Sequence, residues 1–220
     1  MELIFTEDNF LIKTLSTHEE IEAALRLRHD VFREELKWVE PAEDGLDRDE
    51  YDDFSQGIGV FNEKDEIIGH VRMIPAPHPF MIEKDFSMLL PGENSFKKTA
   101  GMMEATRTCI RKDVRTDRHA SMTLAHLLYK AMYHWSKINE STELITIVEK
   151  RYYLLLKRSR FPFKPIGEFI PVGDGVLSGI ISLDWNEAKE KTKEVRPDLY
   201  EWVVNLPDFA PSRLLSRGLY

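Results

Sequence analysis

A fourteen-residue acidic segment constrains this chain more than any other feature. Residues 40–53 hold Glu40, Glu43, Asp44, Asp47, Asp49, Glu50, Asp52 and Asp53 against a single base, Arg48. With eight acids to one base, the segment carries nearly all of the net charge of −8, and the remaining 30 acids and 29 bases almost cancel. Carboxylates packed so densely along a chain either stay in water or fold against cations supplied from elsewhere. The opposite pattern occupies residues 150–164, where Lys150, Arg151, Lys157, Arg158, Arg160 and Lys164 occur with no acid. This distribution argues against a general nucleic-acid binder. It points instead to a cationic ligand at one place and an acidic partner at another.

The 220 residues, 42% hydrophobic and 10% aromatic, suffice for one domain with a real core and exclude a disordered tail. One cysteine, Cys109, leaves no internal disulfide and no cysteine-rich zinc site, which fits a reducing cytoplasm. Residues 1–10 contain Glu2, Glu7 and Asp8 and lack a basic start followed by an apolar run, so no signal peptide is expected. No apolar stretch approaches the roughly 20 residues that span a bilayer.

Neither repeats nor flexible linkers divide the apolar segments. A strand at 11–15 is followed by Thr17 and Glu20, the spacing of a capping box. Behind it the stripe Ile21, Leu25, Arg28, Phe32, Leu36 predicts a helix. Residues 57–61 and 66–74 read as a strand pair across the polar turn 62–65. In its second strand Val71 and Met73 face one way and His70, Arg72 and Ile74 the other. After three prolines come a short helix at 80–90 and a strand at 101–110. Strict alternation there puts Met102, Glu104, Thr106 and Thr108 on one face and Met103, Ala105, Arg107 and Cys109 on the other. A long helix at 120–137, a strand at 144–148, a basic helix at 150–159 and strands at 166–169 and 176–183 complete the series. The expected fold is α/β: a mixed central sheet flanked by helices, a three-layer α-β-α sandwich. Residues 1–184 are expected to form a single domain, and residues 185–220 an extension packed on it or engaged in contacts.

Several chemistries find no motif. Gly173, Gly175 and Gly179 are wrongly spaced for a phosphate loop or dinucleotide turn. The seven histidines are scattered without metal-ligand spacing, so no metal is expected; His119 and His126 read as surface or interface residues. Cys109 has no partner base, and no nucleophile elbow exists. What remains is a dispersed set of polar residues in apolar surroundings. Arg28 interrupts an apolar stripe, either reaching past the core edge to water or lining a pocket held by carboxylates. Glu104 sits in mid-strand, where a carboxylate is on an exposed face or in a functional cleft.

Taken together, Arg28, Phe32, Trp38, Asp49-Glu50-Tyr51-Asp52, Gly69-His70-Val71-Arg72 and Glu104-Ala105-Thr106-Arg107 resemble the pattern of the acyl-homoserine-lactone synthases, the autoinducer synthases of bacterial quorum sensing. Phe86 matches a further family position, Thr106 stands where serine is common, and the tail is longer than expected. The resemblance implies the fold of the GNAT N-acyltransferases. It also implies transfer of an acyl group from an acyl-carrier-protein or acyl-CoA thioester to the amine of S-adenosylmethionine, with lactonisation and release of methylthioadenosine.

The same resemblance implies roles for individual residues. Glu104 and Thr106 would be catalytic, and Arg28, Phe32, Trp38, Asp49 and Arg107 would bind S-adenosylmethionine, with Asp52 and Arg72 completing an electrostatic cluster. Phe86, Met102, Leu124 and Thr146 would line the acyl pocket. The acidic carrier protein would dock on Lys150, Arg151, Lys157 and Arg158, although a basic helix face is as often simply solvated. S-adenosylmethionine is a substrate in this scheme, and no cofactor is implied. Two alternatives share the fold. An N-acyl amino acid synthase would use another amine. A coenzyme-A acetyltransferase would carry a glycine-rich turn before the long helix, where residues 114–120 have no glycine.

Overall fold

The computed structural model describes residues 2–92, 96–173 and 175–207. Eight strands form one sheet: β1 (Ile4–Glu7), β2 (Phe10–Thr14), β3 (Gln56–Phe61), β4 (Ile67–Pro75), β5 (Met102–Ile110), β6 (Glu143–Glu149), β7 (Lys164–Val172) and β8 (Val176–Asp184), in the order β1-β2-β3-β4-β5-β6-β8-β7. Only β5 and β6 are parallel. The helices are α1 (His18–Arg28), α2 (Met81–Lys84), α3 (Lys112–Arg115), α4 (Arg118–Ile138), α5 (Lys150–Arg158), α6 (Trp185–Val195) and α7 (Pro197–Val204). This is the α/β class expected from the order of strand and helix patterns.

The helix ends are sealed by their own sequence. Thr17 accepts from the Glu20 amide at 3.2 Å while Glu20 accepts from the Thr17 amide at 3.4 Å, the reciprocal cap expected from their spacing. On the stripe behind it, Leu25, Arg28 and Phe32 are buried and Leu36 packs against the core, but Ile21 is exposed. Past Arg28 the helix widens over His29–Glu35. The Leu36 amide bonds the Val31 carbonyl five residues back, a register common near functional sites.

Two packing layers follow from strand alternation. Val71, Met73, Met103, Ala105 and Leu144 face α4, where they meet Leu124, Leu128 and Tyr133. On the other face Ile74, Met102 and Ile145 join Tyr51, Phe80 and Ile82, while Leu27 and Phe32 of the first helix cover the sheet near Phe61 and Cys109.

Residues 185–207 add to the α4 layer. Trp185, Ala188, Leu199 and Val203 enter the same apolar cluster, and His134 meets the Val203 carbonyl at 2.8 Å. The buried Lys130 ammonium pairs with Glu7 at 2.7 Å beneath the Trp202 ring, whose indole N–H donates to Glu7 at 3.1 Å. The rest of the expected extension, residues 208–220, lies outside the described residues. His119 is exposed, and His126 is wedged between Phe161 and Trp202.

Candidate active site

The acidic segment stays only partly in water: Glu40, Glu43, Asp44, Glu50 and Asp53 are exposed, whereas Asp47, Asp49 and Asp52 turn inward. Its last third folds against Arg72 of β4 and Arg107 of β5, pinned to the first helix by the Asp47 amide on the Leu25 carbonyl, 3.1 Å. Asp49 opens a short helical turn, Glu50–Phe54. Asp49 accepts from the Tyr51 amide at 3.0 Å, and Asp52 accepts from the Asp49 amide at 2.9 Å.

Four guanidiniums meet these three carboxylates. Arg28 donates from Nε to Asp47 at 3.0 Å and from Nη1 and Nη2 to the two oxygens of Asp52 at 2.6 and 3.2 Å, a fork matched to the carboxylate. Arg72 donates from Nη1 to Asp49 and, at 2.9 Å, to Asp52; its Nη2 reaches Asp49 at 3.1 Å and its Nε donates to the Thr106 hydroxyl at 2.9 Å. Arg107 spans Asp47 at 2.7 Å and Asp49 at 3.2 Å, and Arg33 holds the remaining Asp47 oxygen at 2.8 Å.

Arg28 and Arg72 are therefore not solvated: both are buried and held by carboxylates, with Asp47 buried beside them and Asp49 and Asp52 half-buried. Asp49 and Asp52 are also not an open anionic surface, because arginines already occupy them. Burial alone would raise these acids, but the arginines outweigh it. Arg107 and Arg28 hold Asp47 down at about 2, and Arg28 holds Asp52 well below the usual carboxylate range.

A β-bulge produces this convergence. Arg72 pairs with Thr106 and His70 with Cys109, so Arg107 and Thr108 together oppose Val71. Arg107 takes a left-handed φ of +51°. The expected alternation fails at this point: Arg107 leaves the face of Met103 and Ala105 and joins Glu104 and Thr106. His70, buried and held neutral by burial and the field of Arg28 with its pKa down at about 3, meets the Arg107 carbonyl at 3.2 Å.

Glu104 is 0% exposed. Its oxygens accept from the first amides of α2, Met81 at 2.6 Å and Ile82 at 3.2 Å, so it lies neither on an exposed face nor in an open cleft. Burial raises its pKa to about 7 against the lowering effect of those amides and of Arg72. Phe32 carries the Arg107 guanidinium over its ring at 5.4 Å and lies 5.8 Å from the Trp38 ring, which is 52% exposed.

Beside this cluster the sheet divides. β5 and β6 pair only from Met102↔Glu143 to Ala105↔Thr146. Beyond that point β5 continues on β4 to Ile110 and β6 continues on β8 to Glu149, leaving their facing edges apart. Thr146 stands at the vertex.

The four residues expected around an acyl chain do not gather. Met102 and Phe86 belong to the layer that covers Glu104, whereas Leu124 lies on α4 across the sheet, and alternation puts Thr146 on the side of Leu144. No residue of α5 is buried, and Lys150, Arg151, Lys157 and Arg158 form no ion pair among the described residues. At the foot of α4, Asp117 accepts from the His119 amide at 2.8 Å and the Ala120 amide at 3.1 Å, filling the helix N-terminus with the chain's own carboxylate. The roles of Asp47, Arg33 and His70 escape a reading of the sequence; nothing marks Asp47 among the eight acids of its segment.

The family model for autoinducer synthases matches residues 13–192. The chain is 33% identical over 163 residues to an acyl-homoserine-lactone synthase of Agrobacterium fabrum, covering 72% of this chain and 77% of that protein. It is 32% identical over 184 residues to another from Rhizobium radiobacter, covering 81% and 84%. Among solved structures, a CoA-dependent acyl-homoserine lactone synthase, BjaI, with MTA, superposes with a TM-score of 0.72 at 20% identity over 95% of this chain and 92% of that one. The synthase LasI gives 0.71 at 16% identity, over 83% and 93%. At these identities the structural likeness speaks for the fold, and the family match and curated relatives for the kinship: the chain belongs to the autoinducer synthase family.

Proposed function

We propose that this chain is an acyl-homoserine-lactone synthase that acylates the amine of S-adenosylmethionine. In the first step the amine nitrogen bonds to the thioester carbonyl carbon and the carrier thiol leaves. In the second, the methionyl carboxylate oxygen bonds to the carbon next to the sulfonium, closing the lactone and expelling methylthioadenosine. Both steps are displacements, so the scheme calls for no cofactor, and its setting is the cytoplasm.

The observation that carries this reading is the meeting of the Arg–Asp cluster, Glu104 and the divided sheet edge at one end of β5. Glu104 is the general base. With its pKa near 7 it exchanges a proton with the substrate ammonium at neutral pH. Its burial beneath α2 favours transfer through a water rather than direct contact. The splayed β5 edge beyond Ala105 offers amides to the oxyanion, and Thr106, tied to Arg72, offers a hydroxyl beside them. Phe32 and Trp38 receive the sulfonium by cation–π contact, while Arg28, Asp49 and Arg107 frame the amino-acid end.

The acyl chain enters where β5 leaves β6, past Thr146. Asp117 on the amides of α4 and the bases of α5, without an ion pair among the described residues, favour an acidic carrier protein over coenzyme A as donor. The same cap weighs against a coenzyme-A acetyltransferase, and the family match favours the lactone over an N-acyl amino acid. The test is mass-resolved product analysis of purified protein given S-adenosylmethionine and acyl thioesters of short to long chain. Equal amounts of methylthioadenosine and acyl-homoserine lactone are expected. Neither product at any chain length, or an acylated amino acid without methylthioadenosine, contradicts the reading.

A further inference from the structure

Asp47 lies two residues before the Asp-x-x-Asp motif and belongs to no motif itself, yet it is the most enclosed member of the cluster, 0% exposed. One of its oxygens takes both the Arg28 and the Arg107 Nε–H groups, at 3.0 and 2.7 Å. The other takes Arg33 Nε–H at 2.8 Å, and Arg33 in turn donates to the Glu40 carbonyl. Asp47 is thereby braced from three directions, with its own amide tied to α1.

We infer that Asp47, braced by Arg33, is the positioning residue that aims Arg107 at the amino-acid end of S-adenosylmethionine. Arg107 needs such a brace. It sits on a bulge with a left-handed backbone that a long side chain seldom adopts, and the strand alternation alone would send it to the opposite face. Two carboxylates gather its Nε and Nη2 edge, and the Phe32 ring closes one flank. Asp49, 21% exposed at its side chain, is the carboxylate nearer solvent; Asp47 is the one sealed in place. Three carboxylates against four guanidiniums leave the cluster one positive charge in excess, suited to the carboxylate of an amino-acid substrate. A neutral Asp47 would let Arg107 follow Asp49 alone and turn from that position.

This role rests on the lactone-synthase reading, and the experiment separates the two. Wild type, Asp47→Asn, Arg33→Gln, Arg107→Lys and the double variant Asp47→Asn/Arg107→Lys are compared in two-substrate kinetics and in calorimetric binding of S-adenosylmethionine without acyl donor. The expected result is a KM and a binding constant for S-adenosylmethionine weakened at least 10-fold in Asp47→Asn, with the KM for the acyl donor changed less than 2-fold. Arg33→Gln, on the rim, shifts the same two quantities about 3-fold. Arg107→Lys and the double variant bind equally weakly, because Asp47 acts through Arg107. A merely structural Asp47 would instead lower kcat in proportion to folded protein and leave both KM values alone, and that outcome overturns the inference. So does wild-type S-adenosylmethionine binding by Arg33→Gln, which decides the matter where Asp47→Asn does not fold. Wild-type protein that makes no lactone defeats the underlying reading instead.

Discussion

The two charged segments of this chain meet opposite fates. The acidic segment at 40–53 has three of its eight carboxylates drawn into the protein, where Asp47, Asp49 and Asp52 are matched to arginines from α1, β4 and β5. The basic segment stays outside: α5 buries none of its nine residues, and four of its bases have no ion pair among the described residues. Charge density alone does not separate the two. The acidic loop finds arginines anchored on a helix and two strands, so desolvating it is offset by charge-assisted hydrogen bonds. Among the described residues no acid faces α5 at ion-pair distance, so on the proposed function its field is left for a partner in solution. On the proposed function, one cluster is an internal scaffold that presents a small ligand site, and the other a surface for encounter.

The sharpest way to break the scaffold half is at its base. Glu104→Gln should lower kcat by roughly 10²–10⁴ with little change in KM for S-adenosylmethionine, the usual contribution of a general base. In wild type the rate should rise with pH through a midpoint of about 7, the pKa to which burial lifts Glu104, and the variant should lose that limb. A wild-type pH profile in the variant removes Glu104 from the role.

Next in size is the cluster's share of stability. Arg28→Ala strands Asp47 and Asp52, and should cost about 3–5 kcal/mol in urea unfolding, as expected when one partner of a buried ion pair is removed. The pH dependence has a definite sign. Asp47 and Asp52 titrate lower folded than unfolded, so their contribution is complete above the ordinary carboxylate value of 3.8; it is lost as pH falls through about 2 for Asp47 and at still lower pH for Asp52. Glu104 works the other way: its folded value is raised from 4.5 to about 7, so its contribution is present below 4.5 and is lost as pH rises through 7. Urea midpoints at pH 2.5, 4 and 7.5 read both signs, and Arg28→Ala should flatten the acid limb.

The surface half is probed by Arg151→Glu with Arg158→Glu. The pair should raise KM for an acyl-carrier-protein donor about 10-fold at low salt and progressively less toward 0.5 M, as screening shortens the field's reach. An unchanged KM returns α5 to a solvated face. The smallest effect is expected at Trp38, exposed beside Phe32: Trp38→Ala should raise KM for S-adenosylmethionine about 2- to 5-fold, matching roughly 0.5–1 kcal/mol for an exposed cation–π contact.

Much of this was legible in the chain, and the boundary between legible and hidden has physical causes. Local chemistry reads well: the Thr17–Glu20 cap, the buried Leu25–Arg28–Phe32 stripe and the two faces of β4 follow from spacing over a few residues. The helices after Trp185 were harder, because their burial depends on α4, fifty and more residues earlier. The bulge at Arg107 is hidden for a related reason. It exists only in the pairing with β4, where two residues oppose one, so alternation within β5 assigns Arg107 to the wrong face. Glu104 announces itself as an oddity, but the amides of Met81 and Ile82 that hold it come from a four-residue helix whose register no sequence pattern sets. Asp47 is the extreme case, since its importance lies in three arginines spread from α1 to β5.

The division of labour between the two charged regions is most directly tested by crossed two-substrate kinetics, with Asp49→Asn in the scaffold and Arg151→Glu/Arg158→Glu on α5, each titrated with S-adenosylmethionine and with acyl carrier protein thioester. The account predicts that the Asp49 variant raises only the KM for S-adenosylmethionine, the α5 variant raises only the KM for the donor, and the combined variant shows the product of the two effects. A common loss in both KM values from either variant, or a donor effect from Asp49→Asn alone, would contradict it.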